Sequence, residues 1–285
     1  MGSLKLGESG SQAKPVQCWA MASVHSHDAE IYYEVQGNGP PVMLLHPFPA
    51  DHGVWSGVAL ALATRYRVIL PDLRGHGDSD VGEGPATMDK HAADLARILD
   101  AEEIGRLPMA GVSIGGYVLF EFWRRARGRV AALILCNTKA QADTPEGRAA
   151  RLQGAAEVME RGTEPFLQSM VPKLLSATTR STRPDLVEQA LAMMRKMAPI
   201  DIAQVQRGMA ERPDSVPTLK TINVPSLLIT GDEDAMTGVS EAELMRQHIA
   251  ASQMAVVPKA GHYSPFERPE EVTQIMRPFL EKIAG

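Results

Sequence analysis

The chemistry this chain could perform centres on Gly111-Val112-Ser113-Ile114-Gly115, a G-x-S-x-G pattern between an apolar run and a stretch with helical spacing. When a strand turns sharply into a helix around such a serine, the turn exposes its Oγ, and the flanking glycines give the backbone room to double back. The first amides of the helix then point at developing negative charge, so a hydroxyl and an anion site arise together. The same five residues also suit an ordinary turn, so the pattern needs partners before it means catalysis. A serine hydroxyl is a weak nucleophile at neutral pH and needs a base within reach and a third group to orient that base. Two segments offer candidates: Asp232, Glu233 and Asp234 follow one apolar run, and His262 follows the next in Gly261-His262-Tyr263. His46 and His76 also border loops, where a structural hydrogen bond is the better account. The chain has no H-E-x-x-H and no paired C-x-x-C, so no metal is implied.

Those side chains must be carried by regular elements, and the hydrophobic pattern supplies them. Residues 29–35 suit a strand, closed by Gly37-Asn38-Gly39-Pro40. Continuous apolar runs at 41–45, 67–72, 130–135 and 224–230, with a shorter one at 254–257, suit strands covered on both faces. Between them, 54–64, 88–99, the stretch after Ser113 and 240–250 have helical spacing, and a last helix starts at Pro269. Such alternation predicts an α/β fold with a mostly parallel sheet, helices on both faces, and ligands bound beyond the carboxyl ends of the strands. The loop at 73–80, rich in glycine and acids, reads as turn chemistry and lacks the lysine of a phosphate loop. From 140 to 215 the rhythm breaks into helical patterns punctuated by prolines, which predicts a helical cap inserted over the sheet's carboxyl edge. Its methionines, Met159, Met170, Met193, Met194, Met197 and Met209, fit packing better than ligand contact, though some could line an adaptable apolar pocket. The core is then 23–139 with 216–285, and residues 1–22 read as a mobile tail or an appended remnant, with Met21 available as a second start.

Composition bounds the partners. At 285 residues with 44% hydrophobic content, the chain can bury a large core without staples. A net charge of −5 argues against nucleic acid or an anionic membrane, since both need a basic face. Two cysteines, Cys18 and Cys136, are too few for a disulfide framework, and Cys136 ends an apolar run as a small buried hydrophobe would. The sequence has no apolar stretch of spanning length and no signal-like segment at its start, so a cytoplasmic location is expected. Oligomeric state leaves no mark in the sequence.

Five stretches together resemble the α/β-hydrolase family: His46-Pro47-Phe48-Pro49, the loop at 72–79, the Ser113 elbow, Gly231-Asp232-Glu233-Asp234, and Gly261-His262. The resemblance spans roughly residues 30–284 and includes the chain order serine, acid, histidine. It implies Ser113 as nucleophile, His262 as general base and then acid, and Asp234 as the orienting carboxylate, with Asp232 and Glu233 as rivals. Some members place the acid one strand earlier, where this chain has Asn137 and Thr138. The implied oxyanion hole uses the amides of Phe48 and Ile114; Pro47 replaces the family's usual glycine, but the donor is the next residue. Met236 and Tyr263 follow catalytic positions and are candidate substrate contacts, with packing an equal account of both. The implied activity is a cofactor-free serine hydrolase acting on a small carboxylic ester or lactone, similar to 3-oxoadipate enol-lactonases and bacterial esterases. A lyase, C–C hydrolase or perhydrolase could use the same three residues, and a ligand-binding receptor could reuse the fold.

Overall fold

The structure is a computed structural model that describes residues 19–284. In chain order its first half comprises β1 (Trp19–Ser26), β2 (Ala29–Gln36), β3 (Pro41–Leu45), α1 (Ser56–Leu62), β4 (Arg67–Pro71), α2 (Met88–Ala101), β5 (Leu107–Val112), α3 (Ile114–Ala126) and β6 (Val130–Cys136). A helical segment follows, with α4 (Pro145–Arg161), α5 (Thr163–Leu174), α6 (Ala177–Thr182), α7 (Pro184–Met194), α8 (Pro199–Ala210) and α9 (Val216–Leu219). The chain ends with β7 (Ser226–Gly231), α10 (Val239–His248), β8 (Ser252–Val257), α11 (Ser264–Glu267) and α12 (Pro269–Ala284).

Among the described residues the strands form one eight-stranded sheet in the order β1-β2-β4-β3-β5-β6-β7-β8. From β4 to β8 all neighbours are parallel, while β1 pairs antiparallel with β2 and β2 with β4. The expected α/β class is therefore what the chain adopts. Its apolar runs are continuous because the pleat sends alternate side chains into two separate cores. Met43, Leu45, Ile69, Leu133 and Leu135 join the core shared with α2, α3 and α10. Val42, Leu44, Val68, Leu70, Ile134 and Cys136 join the one beneath α1 and α12. Cys136 is fully buried there, and burial pushes its thiol pKa well up, so it packs as a small hydrophobe.

Residues 1–18 of the expected tail lie outside the described residues, and the tail boundary at 22 is corrected by the structure. Trp19 already pairs with Gln36, and β1 runs beside β2 over eight residues. An exposed edge strand buries too little to show an apolar pattern, and Met21 is 76% exposed.

Between β6 and β7 three of the prolines mark helix starts: Pro145, Pro184 and Pro199 each stand in the first turn of a helix, where a missing N–H costs nothing, while Pro172 lies inside α5. The end of this segment is tied back to α3, for Trp123 Nε1 donates to Thr221 Oγ1 and Arg124 donates to Ser215 and Thr218. Among the described residues no helix is long and apolar enough to cross a membrane.

Candidate active site

Ser113 sits between β5 and α3 with φ 54° and ψ −113°, a conformation that L-residues rarely adopt and that a surrounding structure must enforce. The enforcement is visible. Its N–H lies 3.1 Å from the carbonyls of Cys136 and Asn137, and its carbonyl accepts from Thr138 Oγ1 at 2.8 Å. A Cβ on Gly111 would stand 2.5 Å from the Gly115 carbonyl carbon, and one on Gly115 would meet the Leu45 carbonyl oxygen at 2.8 Å. Gly116 is equally constrained, since its Cβ would lie 2.4 Å from Thr138 Oγ1. The two motif glycines were legible in the sequence; Gly116 depends on a neighbour 22 positions on and was not.

His262 follows β8 on a loop and is 1% exposed. Its Nδ1 lies 3.0 and 3.1 Å from the two carboxylate oxygens of Asp234. That arrangement keeps the proton on Nδ1 and leaves Nε2 its lone pair. Nε2 has no hydrogen-bond partner among the described residues, and His262 and Ser113 line the same cavity. Burial acts to raise the Asp234 pKa, but the His262 imidazole and donors from Asn137 and Thr237 outweigh it and hold the carboxyl well below the usual range. The rival acids point elsewhere: Asp232 is exposed, and Glu233 accepts from the backbone and hydroxyl of Thr178 in α6.

Several residues that sequence reasoning passed over hold this acid. Asn137, with φ 43° at the end of β6, donates from Nδ2 to Asp234 Oδ2 at 2.8 Å and to the Gly261 carbonyl at 3.2 Å. Thr237 donates its hydroxyl to Asp234 Oδ2 at 2.7 Å, and the amides of Met236 and Thr237 donate to Oδ1. The only signal was the polar residue at a strand end beside the elbow strand, which was weighed as an alternative acid position and not as a donor.

The amide of Ile114 opens α3, where no residue four back can accept from it. Phe48 lines the cavity on a loop braced by His46, whose Nδ1 donates to the Pro47 carbonyl at 2.9 Å while Nε2 accepts from the Leu73 amide at 2.8 Å. Burial lowers the His46 pKa, in keeping with a neutral ring that uses both nitrogens structurally. His76 likewise turns Nδ1 toward backbone, 3.0 Å from the Arg74 carbonyl.

Met236 lines the cavity and is 39% exposed. Tyr263 corrects the expectation of a substrate contact: it is fully buried, does not line the cavity, and donates its hydroxyl to the Phe48 carbonyl at 3.3 Å. Tyr263 caps the start of α11, and its ring packs into the apolar core.

The cavity measures about 380 Å³, and Phe166 and Met170 of α5 and Met209 of α8 contribute to its lining. Phe166 meets Phe48 with ring centroids 6.1 Å apart. Of the other methionines in this segment, Met194 and Met197 are core residues and Met159 is half-exposed. Among the described residues no group of three or more His, Cys, Asp or Glu stands together as a metal set. A strained serine and a buried imidazole thus line one concave space, and a carboxylate outside the lining holds that imidazole. Such an arrangement can deprotonate an alcohol and stabilise the anion that its attack creates.

A profile described as alpha/beta hydrolase fold matches residues 40–269. Among curated proteins the chain is similar to 3-oxoadipate enol-lactonase 1 of Acinetobacter baylyi, 30% identical over 246 residues that make up 86% of this chain and 90% of that one. Among solved structures it is similar to a thermophilic esterase from Thermogutta terrifontis, solved with malate bound, at 38% identity and a TM-score of 0.90, covering 93% of this chain and 100% of the other. It is also similar to the enol-lactonase from Burkholderia xenovorans LB400, at 25% identity and a TM-score of 0.85 over 91% and 100% of the two chains.

Proposed function

Because this chain belongs to the alpha/beta hydrolase fold family, we propose that it is a serine hydrolase that cleaves a small carboxylic ester or lactone through an acyl-enzyme on Ser113. The observation that carries the proposal is the shared cavity: Ser113 at its strained turn and His262, whose Nε2 has no partner among the described residues, both line it, and Asp234 holds the other ring nitrogen. The esterase and enol-lactonase relatives support the bond type.

In this reading the Ser113 hydroxyl attacks the carbonyl carbon as His262 Nε2 takes its proton. The charge that develops on the carbonyl oxygen is met by the amides of Ile114 and Phe48, a donor pair of which each member is worth about 3 kcal/mol in such sites. Collapse of the tetrahedral adduct expels the alcohol, protonated by His262, and leaves the acyl group on Ser113. Water then repeats the sequence, with His262 as base, and releases the acid. Asp234 stays ionised throughout, stabilises the imidazolium and fixes its orientation. The substrate is a small molecule, for the cavity is too small for a polymer to enter whole.

Ser113→Ala is expected to lower kcat for a p-nitrophenyl ester on the order of a million-fold with the circular dichroism spectrum unaltered. The wild-type protein should take up a fluorophosphonate probe and the variant should not. Equal turnover in the two proteins would refute the mechanism.

A further inference from the structure

The lining of the cavity also carries charged side chains that the attack on a carbonyl does not use. Arg151 of α4, Lys173 of α5 and Lys139, in the segment after β6, all line it. The small residues Gly147, Ala150 and Gly154 share that face of α4 and leave room beside the Arg151 side chain. The nearest carboxylate is Asp143, and it is oversubscribed. Its Oδ2 takes Arg151 Nε at 2.5 Å and Arg212 Nη1 at 2.6 Å, while Lys139 Nζ stands 3.7 Å from Oδ1. Burial acts to raise the Asp143 pKa, but hydrogen bonds from Arg212 and Arg151 hold it at about 2, so it carries a full charge at neutral pH.

One carboxylate therefore answers three cations. Arg212 is committed elsewhere too: its guanidinium sits over the Tyr117 ring at 4.3 Å and donates to the carbonyls of Met209 and Gln141. Arg151 spends Nε on Asp143 and Nη1 on Gln206 Oε1, which leaves Nη2 without an acceptor among the described residues. Lys173 has no ion pair among them either. The remaining acid on the wall, Glu157, is exposed and accepts from Gln153. A chain of net charge −5 thus keeps a positive excess in the lining of its cavity. Four cations, Lys139, Arg151, Lys173 and Arg212, face two carboxylates, Asp143 and Glu157, with Lys173 exposed and outside any ion pair among the described residues, and an anionic ligand group would balance the excess.

We propose that this wall is a carboxylate subsite, so that the preferred substrates are esters or lactones carrying a carboxylate remote from the scissile carbonyl, held by Lys139, Arg151 and Lys173. The proposal rests on the serine-hydrolase reading above. The planar Arg151 fork supplies direction, and the two lysines supply charge.

The test compares matched esters. One pair, p-nitrophenyl hydrogen glutarate and p-nitrophenyl pentanoate, places the carboxylate on the acyl side. Another, 4-acetoxybenzoate and 4-methylphenyl acetate, places it on the leaving group. In at least one pair kcat/KM should favour the anionic member by roughly tenfold or more, and the preference should shrink as NaCl rises from about 0.05 to about 0.5 M. In the Lys139→Met/Lys173→Met double variant the ratio of anionic to neutral kcat/KM should fall toward one. If that variant fails to fold, the wild-type ratio and its salt dependence decide alone. Hydrolysis of all four esters with no preference for charge and no salt effect overturns the subsite and leaves the serine mechanism standing. Failure to hydrolyse any of them, with no fluorophosphonate labelling, overturns the mechanism itself.

Discussion

Asn137 serves two parts of the site with one side chain, binding the orienting acid and the loop of the base through the same amide nitrogen. Its Oδ1 accepts from Ser264, so each polar atom of this buried amide has a partner. Asparagine tolerates the left-handed backbone required at φ 43°, and its amide supplies donor and acceptor at once. Replacing it with aspartate keeps the shape, removes the donor and sets a second negative charge against Asp234. We expect Asn137→Asp to lower kcat for a p-nitrophenyl ester by roughly 10- to 100-fold, the scale of a lost hydrogen bond to a charged group. Full activity in that variant would mean that Asp234 is positioned without it. At this scale the sequence was only partly legible. Ser113 and His262 announce themselves by their neighbours, whereas Asn137 and Thr237 matter only through where they point.

At the level of elements, the loop that bears His262 is strapped to the helical segment above it. Glu267, at the end of α11 and 3% exposed, accepts from the Gly261 amide through Oε1 and from the Ser176 amide through Oε2, each at 2.9 Å. The Tyr263 amide donates to the Leu174 carbonyl at 3.1 Å, and Ser176 Oγ to that of Lys259 at 3.3 Å. A Cβ on Gly261 would stand 2.4 Å from the Ser176 nitrogen, so the two backbones approach as closely as they do only because residue 261 is glycine. The joint between α5 and α6 therefore holds the loop of the base in place. Glu267→Gln turns an amide nitrogen toward one of the two backbone donors, and a buried donor left unpaired costs about 1–3 kcal/mol. Urea unfolding should register that loss, and kcat should fall more than KM changes, since the base is disturbed and the cavity wall is not. Unaltered stability together with unaltered kcat would remove Glu267 from this role.

Across the whole molecule, the loops at the sheet's carboxyl edge are pinned by buried charge, and stability should follow its titration. Asp72 accepts from the His52 amide and ring and from the Asp78 amide. Burial acts to raise its pKa, but the hydrogen bond and charge of His52 outweigh it and bring it from an ordinary 3.8 to about 2. The unfolded chain then binds this proton more readily than the folded one, so the contribution is complete above about pH 5 and lost as pH falls toward 2, about 2 kcal/mol in all. The partner works in the opposite window: His52 has its pKa raised, burial notwithstanding, by Asp72, and its share disappears as pH climbs through that raised value. Free energies of unfolding measured from pH 6 down to pH 3 should decline in the wild type and decline less steeply in Asp72→Asn; parallel curves would assign the acid sensitivity elsewhere. Taken alone, the amino-acid sequence determined the alternation of strands and helices, the elbow at Ser113 and the short set of residues from which an acid and a base could come. These depend on periodicity and turn chemistry, which act over a few neighbouring positions. The edge strand β1 escaped because exposed strands bury too little to leave a pattern. Tertiary structure decided between Asp234, the acid that the family resemblance implied, and its rivals Asp232 and Glu233, and it alone decided that Tyr263 turns into the core and that Lys139, Arg151 and Arg212 gather on Asp143. Side-chain direction and contact between distant segments are set by packing in three dimensions, and spacing along the chain carries no record of it.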